Sequence, residues 1–209
     1  MRRELRIVED IAGAAADLFL EIGPKAIALA GGTTPRSAYE RLASLQYPWH
    51  EVEVFFGDER CVPPDHPDSN FRLAHDVLLS KIPARVHRMP GESCDTARYE
   101  RELREARGPT PALDLVFLGL GEDGHTASLF PDDPALDETE RLVVRVDRPD
   151  HPRLTLTLPV LSAGPFALFL VAGEEKREAL RMLMAGADIP AARVAADRVV
   201  VLADAAAAP

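Results

Sequence analysis

Residues 114–126 read DLVFLGLGEDGHT, an apolar run that passes into a glycine-rich turn and reaches a histidine. A short apolar run bounded by turn residues is typical of a strand buried on both faces of a sheet. Similar runs occur at residues 26–30 (AIALA), 52–56 (VEVFF) and 166–172 (FALFLVA), with amphipathic stretches between them. This alternation predicts an α/β fold in which helices cover both faces of a mostly parallel sheet.

The length of the chain limits the number of domains. With 209 residues, of which 46% are hydrophobic and 28% charged, the chain is long enough to bury one sizeable core. The sequence shows no repeat of solenoid period and no long Gly/Ser linker. We therefore expect residues 1–209 to form a single domain.

Charge and hydropathy exclude some classes of partner. The formal net charge is −10 and no basic stripe is present, so we expect no nucleic-acid binding. No apolar run approaches the roughly 20 residues that span a bilayer, and the first ten residues, MRRELRIVED, lack the apolar segment of a secretory signal. Two cysteines, Cys61 and Cys94, predict neither a disulfide framework nor a zinc-ligand set. These features predict a cytoplasmic protein with no membrane partner.

Three of the predicted strands end in loops of small and ionisable residues. These loops are GGTTP at residues 31–35, GDER at residues 57–60 and GEDGHT at residues 121–126. Ligands of open α/β sheets bind beyond the carboxyl ends of the strands. The three loops therefore predict one ligand site.

The loop GGTTP has the features of an anion site. Gly31 and Gly32 let the backbone approach a ligand, and the hydroxyls of Thr33 and Thr34 and a helix N-terminus face it. We expect Thr34 to cap this helix. The loop matches neither GxxxxGK[ST] nor GxGxxG, so nucleotide binding is not predicted. An ordinary strand–helix turn is the alternative.

Other charged residues lie near the same edge. Asp58 and Arg60 in GDER are suited to orienting a hydroxyl-rich ligand, and a structural ion pair is the alternative. Arg36, just inside the predicted helix, and Lys176, at the end of GEEK (173–176), are candidate phosphate ligands. Solvated helix charges are the alternative for both.

His125 is the strongest candidate for chemistry. Histidine is the side chain whose ordinary pKa suits proton transfer at neutral pH, and Asp123 lies two residues before it, close enough to orient the ring. No second histidine or cysteine lies at ligand spacing from His125, so we expect no metal. None of the other five histidines lies in a glycine-rich turn two residues after an aspartate, so we expect surface or structural roles for them.

Five segments, in order, resemble the 6-phosphogluconolactonase family. They are LAGGTTP (29–35), GDERCVPPDHPDSNF (57–71), LGLGEDGHTASLFPD (118–132), RLTLTLPVL (153–161) and GEEKREAL (173–180). The resemblance implies a three-layer α/β/α Rossmann-like fold shared with glucosamine-6-phosphate deaminases and ribose-5-phosphate isomerases. It also implies hydrolysis of 6-phospho-D-glucono-1,5-lactone to 6-phosphogluconate, without a cofactor.

On this reading a small phosphosugar lactone is the partner, and the chain is expected to be a monomer or a weak dimer. The phosphate lies on residues 31–34 with Lys176, Arg36 or Arg60, while His125 activates water. Asp123 orients His125, Asp58 holds ring hydroxyls, and amides of residues 121–124 or a nearby cation stabilise the oxyanion. Two alternatives stay open: an isomerase or deaminase of the same fold, and a non-catalytic sugar-phosphate sensor.

Overall fold

The computed structural model describes residues 2–209. Ten strands are present: β1 (Arg2–Ile7), β2 (Ala26–Leu29), β3 (Glu53–Phe56), β4 (Asp58–Arg60), β5 (Arg85–Val86), β6 (Leu115–Leu118), β7 (Val143–Val146), β8 (Arg153–Leu156), β9 (Phe166–Val171) and β10 (Arg198–Ala203). The α-helices are α1 (Ile11–Ile22), α2 (Thr33–Leu42), α3 (Asn70–Ala74), α4 (Thr96–Arg107), α5 (Leu158–Ser162), α6 (Arg177–Ala185) and α7 (Pro190–Arg193). None of the helices in this part of the chain is long and apolar enough to cross a membrane.

Seven strands form a parallel sheet in the order β1-β10-β9-β6-β2-β3-β5. The flanking helices make this sheet the middle layer of a three-layer α/β fold, which confirms the predicted fold class. The inner strands are apolar and fully buried, as expected for a sheet covered on both faces. The edge strand β1 was not predicted, because four of the six residues in its sequence RRELRI are charged and only two are apolar.

The register of the central strands brings four strand ends to one edge. Ala28 of β2 pairs with Phe55 of β3 and with Val116 of β6, and Leu118 of β6 pairs with Phe169 of β9. Parallel neighbours in such close register end at nearly the same level. The segments that follow β2, β3, β6 and β9 therefore meet. The sequence predicted this meeting for the segments after β2, β3 and β6, and it placed Lys176, which follows β9, near the same edge.

The segment GDER differs from the prediction. It is not a loop, because Asp58–Arg60 forms β4, which pairs antiparallel with β8 in a second sheet of order β4-β8-β7. Gly57 joins the two sheets: its N–H donates to the carbonyl of Leu29, and its carbonyl accepts from the N–H of Leu156. This link turns the chain out of the large sheet after β3.

Helix α2 also begins differently from the prediction. The helix starts at Thr33 with Gly32 as its N-cap, and no side chain caps it, so Thr34 is not the cap. The left-handed φ of Gly32, 103°, lets the chain enter the helix without a capping side chain. The amides of the first turn are left available to a ligand.

The prediction that the two cysteines form no disulfide is wrong. Cys61 and Cys94 are disulfide-bonded, with their Cα atoms 5.1 Å apart. Gly91 makes this approach possible, because a Cβ at that position would lie 2.6 Å from the carbonyl oxygen of Arg60. The 33-residue separation hides this contact from the sequence. The bond ties the segment after β4 to the turn before α4.

Candidate active site

A cavity of about 250 Å³ lies at the carboxyl edge of the parallel sheet, against the second sheet. Its wall combines the loops after β2, β6 and β9 with residues of β4 and β8. The lining residues are Ala30, Gly31, Gly32, Thr33, Thr34, Pro35, Asp58, Arg60, Asn70, Gly119, Leu120, Gly121, His125, Ala127, Arg153, Leu170, Val171, Ala172 and Lys176.

The imidazole of His125 is fixed by the turn that carries it. Its Nδ1 lies 2.6 Å from Asp123 Oδ1, and the backbone N–H of His125 donates to the same oxygen at 3.0 Å. The ring also packs against Phe130, with 4.5 Å between ring centroids. A carboxylate at Nδ1 assigns the proton to that nitrogen, which leaves Nε2 as the basic atom.

The charge of Asp123 is stabilised by the same contacts. Burial raises the pKa of this carboxyl, but hydrogen bonds from the backbone and the ring of His125 outweigh it, so the net pKa is lowered. Asp123 is therefore ionised at neutral pH and is suited to stabilising a proton on His125.

Glycine is required at position 121 by close packing around the histidine. A Cβ at Gly121 would lie 2.0 Å from His125 Nδ1 and 2.7 Å from Asp123 Oδ1. The N–H of Gly121 donates to the carbonyl of His125 at 2.8 Å, which closes the turn. The absence of a side chain at Gly121 thus leaves space for the contact between His125 and Asp123.

The N-terminus of α2 forms a second wall. Gly31, Gly32, Thr33 and Thr34 all line the cavity, and the ten-residue helix directs its partial positive charge there. Gly31 allows the approach of a neighbouring side chain, since a Cβ there would lie 2.0 Å from Asn70 Oδ1. The amides, hydroxyls and helix N-terminus from which an anion site is predicted all lie at this wall, and anion binding there stays a prediction.

Asp58 lies at the base of the cavity and is buried. Its Oδ2 accepts a hydrogen bond from Ser128 Oγ at 2.6 Å, and its Oδ1 accepts from Asn70 Nδ2 at 3.2 Å. Asn70 Oδ1 is buried without a partner among residues 2–209. The carboxylate is therefore held in place beside an acceptor that a ligand hydroxyl would satisfy.

Two arginines face each other across the second sheet. Arg60 of β4 pairs directly with Arg153 of β8, and both side chains line the cavity. Like charges directly opposite each other are destabilising unless they are compensated. The Nε atom of each is buried without a partner in the described part of the chain. Arg153 already pairs with Asp150 at 2.7 Å, whereas an anionic ligand would compensate the charge of Arg60.

Lys176 also lines the cavity, with Nζ 3.8 Å from Glu122 Oε1. Arg36 does not join this group, and its prediction as a phosphate ligand is not supported. Its guanidinium pairs with Glu40 at 3.2 Å, and half of the side chain is exposed. The structure therefore brings Arg60 and Lys176 to the cavity and leaves Arg36 on the solvent face of α2.

Glu59 has a structural role. A structural ion pair was the alternative interpretation of the segment GDER, but Glu59 acts through hydrogen bonds and not through an ion pair. The carboxylate is buried and accepts from the N–H groups of Arg60, Asn70 and Phe71 and from Ser69 Oγ. Burial raises its pKa, and these hydrogen bonds oppose the shift. Glu59 thus anchors the start of α3, where Ser69 is the N-cap.

The family is decided by a match along nearly the whole chain. Residues 4–202 match the model of a family described as glucosamine-6-phosphate isomerases/6-phosphogluconolactonase. The chain belongs to this family. A relative from Synechocystis sp. named 6-phosphogluconolactonase is 44% identical over 176 residues, which cover 79% of this chain and 73% of the relative. Another of the same name, from Nostoc sp., is 44% identical over 170 residues, 76% of this chain and 71% of the relative.

A solved structure supports the same family. The crystal structure of a 6-phosphogluconolactonase from Thermotoga maritima superposes with a TM-score of 0.87 at 32% identity and covers 97% of this chain and all of that one. The family resemblance expected from the five segments is confirmed.

The sequence analysis missed three polar residues at the site. Asn70, Ser128 and Arg153 lie within the segments that resemble the family, but none of them is predicted as a site residue. Arg153 carries a weak signal, a charge at the start of a strand with an apolar alternation. Ser128 carries none, because its partner Asp58 is distant in the sequence.

Proposed function

We propose that the chain hydrolyses 6-phospho-D-glucono-1,5-lactone to 6-phospho-D-gluconate, the second step of the oxidative pentose phosphate pathway. The observation that carries this proposal is that His125, hydrogen-bonded to Asp123, lines the same cavity as an uncapped helix N-terminus. The pair supplies a base, and the helix supplies an anchor for a phosphate.

The phosphate binds at residues 31–34, on the first-turn amides and hydroxyls of α2, with Lys176 supplying charge. Arg60 and Arg153 add positive charge to the same cavity, which offsets the negative net charge of the chain. Asp58 and Asn70 are placed to hold ring hydroxyls. Their positions are fixed by the hydrogen bonds between them and by Ser128.

His125 Nε2 removes a proton from a water molecule as the oxygen of that water attacks the lactone carbonyl. The resulting imidazolium is stabilised by Asp123, whose lowered pKa keeps it ionised. A cavity arginine is favoured over the amides of residues 121–124 for stabilising the oxyanion, because the N–H groups of Gly121 and Gly124 already donate to the carbonyls of His125 and Gly121. When the carbonyl re-forms and the bond to the ring oxygen breaks, His125 returns the proton to that oxygen. The open-chain acid is the product, and no cofactor takes part.

The same machinery would also suit an isomerase or deaminase acting on a sugar phosphate, because both need a proton shuttle beside a phosphate anchor. The lactonase is favoured by the relatives that share 44% identity, since both are named 6-phosphogluconolactonase. A sensor is disfavoured because the relatives that share 44% identity are named as an enzyme.

The proposal is tested by comparing two substrates with the purified chain. The lactone is generated in the assay, and 6-phosphogluconate is measured against the spontaneous rate. Glucosamine 6-phosphate is tested in parallel for release of ammonia. We expect accelerated lactone hydrolysis, weaker acceleration with unphosphorylated gluconolactone, and no ammonia. Ammonia release without lactone hydrolysis would favour the deaminase.

The phosphosugar lactone is the only partner that we propose, and the functional unit is a monomer or a weak dimer. The base, the helix N-terminus and the cations that the proposal uses all lie at the cavity of a single copy. We also propose a cytoplasmic location, on the basis of the metabolic role alone. The cysteines no longer support it, because disulfides are typical of oxidising compartments.

A further inference from the structure

Beside the cavity, but not lining it, two histidines and an aspartate come together. His66 and Asp68 belong to the proline-rich segment after β4, and His151 lies just before β8. Asp68 Oδ2 is 3.1 Å from His151 Nε2 and 3.8 Å from His66 Nδ1, and the three ligand atoms lie within 4.8 Å of one another. Among residues 2–209 this is the one group of three such side chains with this spacing.

We propose that His66, Asp68 and His151 bind a divalent transition-metal ion of the zinc class. Two imidazoles and one carboxylate suit Zn²⁺, whereas Mg²⁺ and Ca²⁺ prefer oxygen ligands. Ligands at zinc bond lengths in tetrahedral geometry are separated by about 3.3 Å. The two distances to Asp68 bracket this value, and the two histidine nitrogens lie within 4.8 Å of each other, so side-chain rotation has to bring the histidines closer to complete the site.

The backbone prepares these ligands. The N–H of His66 donates to the carbonyl of Pro63, and the N–H of Ser69 donates to the carbonyl of His66, which sets the turn between His66 and Asp68. The N–H of Cys61 donates to the carbonyl of Pro152 at 2.7 Å and holds this segment against the one that carries His151. The ligands therefore lie together before metal binds. A metal replaces two contacts among them: the Asp68 N–H to His66 Nδ1 hydrogen bond of 3.2 Å and the hydrogen bond between His151 Nε2 and Asp68 Oδ2 of 3.1 Å.

Exposure leaves room for the ion and for a water ligand. About a third of the side chain of His66 and of His151 is exposed, and about half of that of Asp68. Three protein ligands with one open position are common for zinc.

The site is connected to the arginine pair of the cavity. Arg60 Nη1 donates to the carbonyl of Asp68 at 2.5 Å, and Arg153 Nη2 donates to Asp150 at 2.7 Å, next to His151. A metal that joins Asp68 to His151 therefore joins the two segments that hold Arg60 and Arg153. The metal takes no part in the reaction. It holds the side chains of Arg60 and Arg153 in position for anion binding.

The test measures Zn²⁺ binding to the chelator-stripped chain by dialysis and elemental analysis. The variants are His66→Gln and His151→Gln. His75→Gln is the matched control, because His75 lies 3.8 Å from Asp76 but belongs to no group of three ligands. His125→Gln separates this site from metal binding at the catalytic pair.

We expect one Zn²⁺ per chain, retained in His75→Gln and His125→Gln. Affinity should fall about 100-fold or more in His66→Gln and His151→Gln, because even an outer partner of a metal ligand contributes roughly 10- to 100-fold. Zn²⁺ at 100 times its Kd should raise the Tm of the parent chain by about 5–10 °C. That rise should vanish in the two ligand variants, whose metal-free Tm should match the parent, and Mg²⁺ should have no effect.

The proposal is overturned if the stripped chain binds no Zn²⁺, if both ligand variants bind it like the parent, or if only His125→Gln loses it. A ligand variant with a lowered metal-free Tm is replaced by Asp68→Asn, which keeps the size of the side chain, and the same outcomes apply.

Discussion

Gly121 has no space for a side chain, because a Cβ there would lie 2.0 Å from Nδ1 of His125. The same turn brings that nitrogen 2.6 Å from Asp123 Oδ1. The backbone and the carboxylate therefore hold the ring from two sides. The position of the His125 ring is therefore set by the whole turn. We expect substitutions at different residues of this turn to change kcat by different factors.

Gly121→Ala should displace the ring of His125 without unfolding the chain. A misplacement of about 1 Å at a catalytic group costs roughly 100-fold, so we expect kcat to fall by about that factor. The matched control is Gly57→Ala, since its Cβ would meet the carbonyl oxygen of Leu29 at an ordinary 3.6 Å. Steady-state assays on both variants check this, and equal activities would count against a tightly fitted ring.

Asp123→Asn should keep the shape of the turn and remove the charge that stabilises protonated His125. We expect kcat to fall by about 10²–10³-fold with little change in KM, because general-base catalysis is worth about 10²–10⁴-fold. Asp137→Asn is the control, since this exposed aspartate pairs with Arg193 away from the cavity. A change in KM alone would show that Asp123 acts in binding.

Lys176→Met should weaken substrate binding more than it slows the chemistry. Loss of a hydrogen bond to a charged group costs about 1.5–3 kcal/mol, so we expect KM to rise by roughly 10- to 100-fold with kcat nearly unchanged. Arg36→Met should leave both constants unchanged, because Arg36 faces solvent. If Arg36→Met has the larger effect on KM, the assignment of the two cations is reversed.

Glu92→Gln tests a pH-dependent contribution to stability near the disulfide. A hydrogen-bonded pair with Arg88 lowers the pKa of Glu92 to about 2 from 4.5. The folded-state pKa is depressed, so this stability is present above pH 4.5 and is lost as the pH falls toward 2.

The carboxylate is about a third exposed, so solvent screening limits the loss at pH 7 in Glu92→Gln to about 0.5–1 kcal/mol. Urea unfolding at pH 7 and pH 3 measures it, with the exposed Glu40→Gln as control. A difference between parent and variant that grows in acid would contradict the assignment.

The parts of the fold that the sequence predicts are those set by local pattern. The strand at 115–118 and the loop with Asp123 and His125 follow from an apolar run and its glycine-rich turn. The features that the sequence did not predict depend on tertiary contacts. Strand β1 is charged, Ser128 meets Asp58 across 70 residues, and the disulfide joins segments with no shared motif. Arg36 is half exposed and pairs with Glu40 one turn along α2, a contact that the i,i+4 spacing permits but does not require.

The central claim is that His125 is the base that activates water. The most direct measurement is kcat for lactone hydrolysis by His125→Ala, together with the Kd of this variant for 6-phosphogluconate. His75→Ala, an exposed histidine away from the cavity, is the control. The account predicts a kcat lower by about 10²–10⁴-fold with the Kd preserved. An unchanged kcat in a folded His125→Ala variant would contradict it.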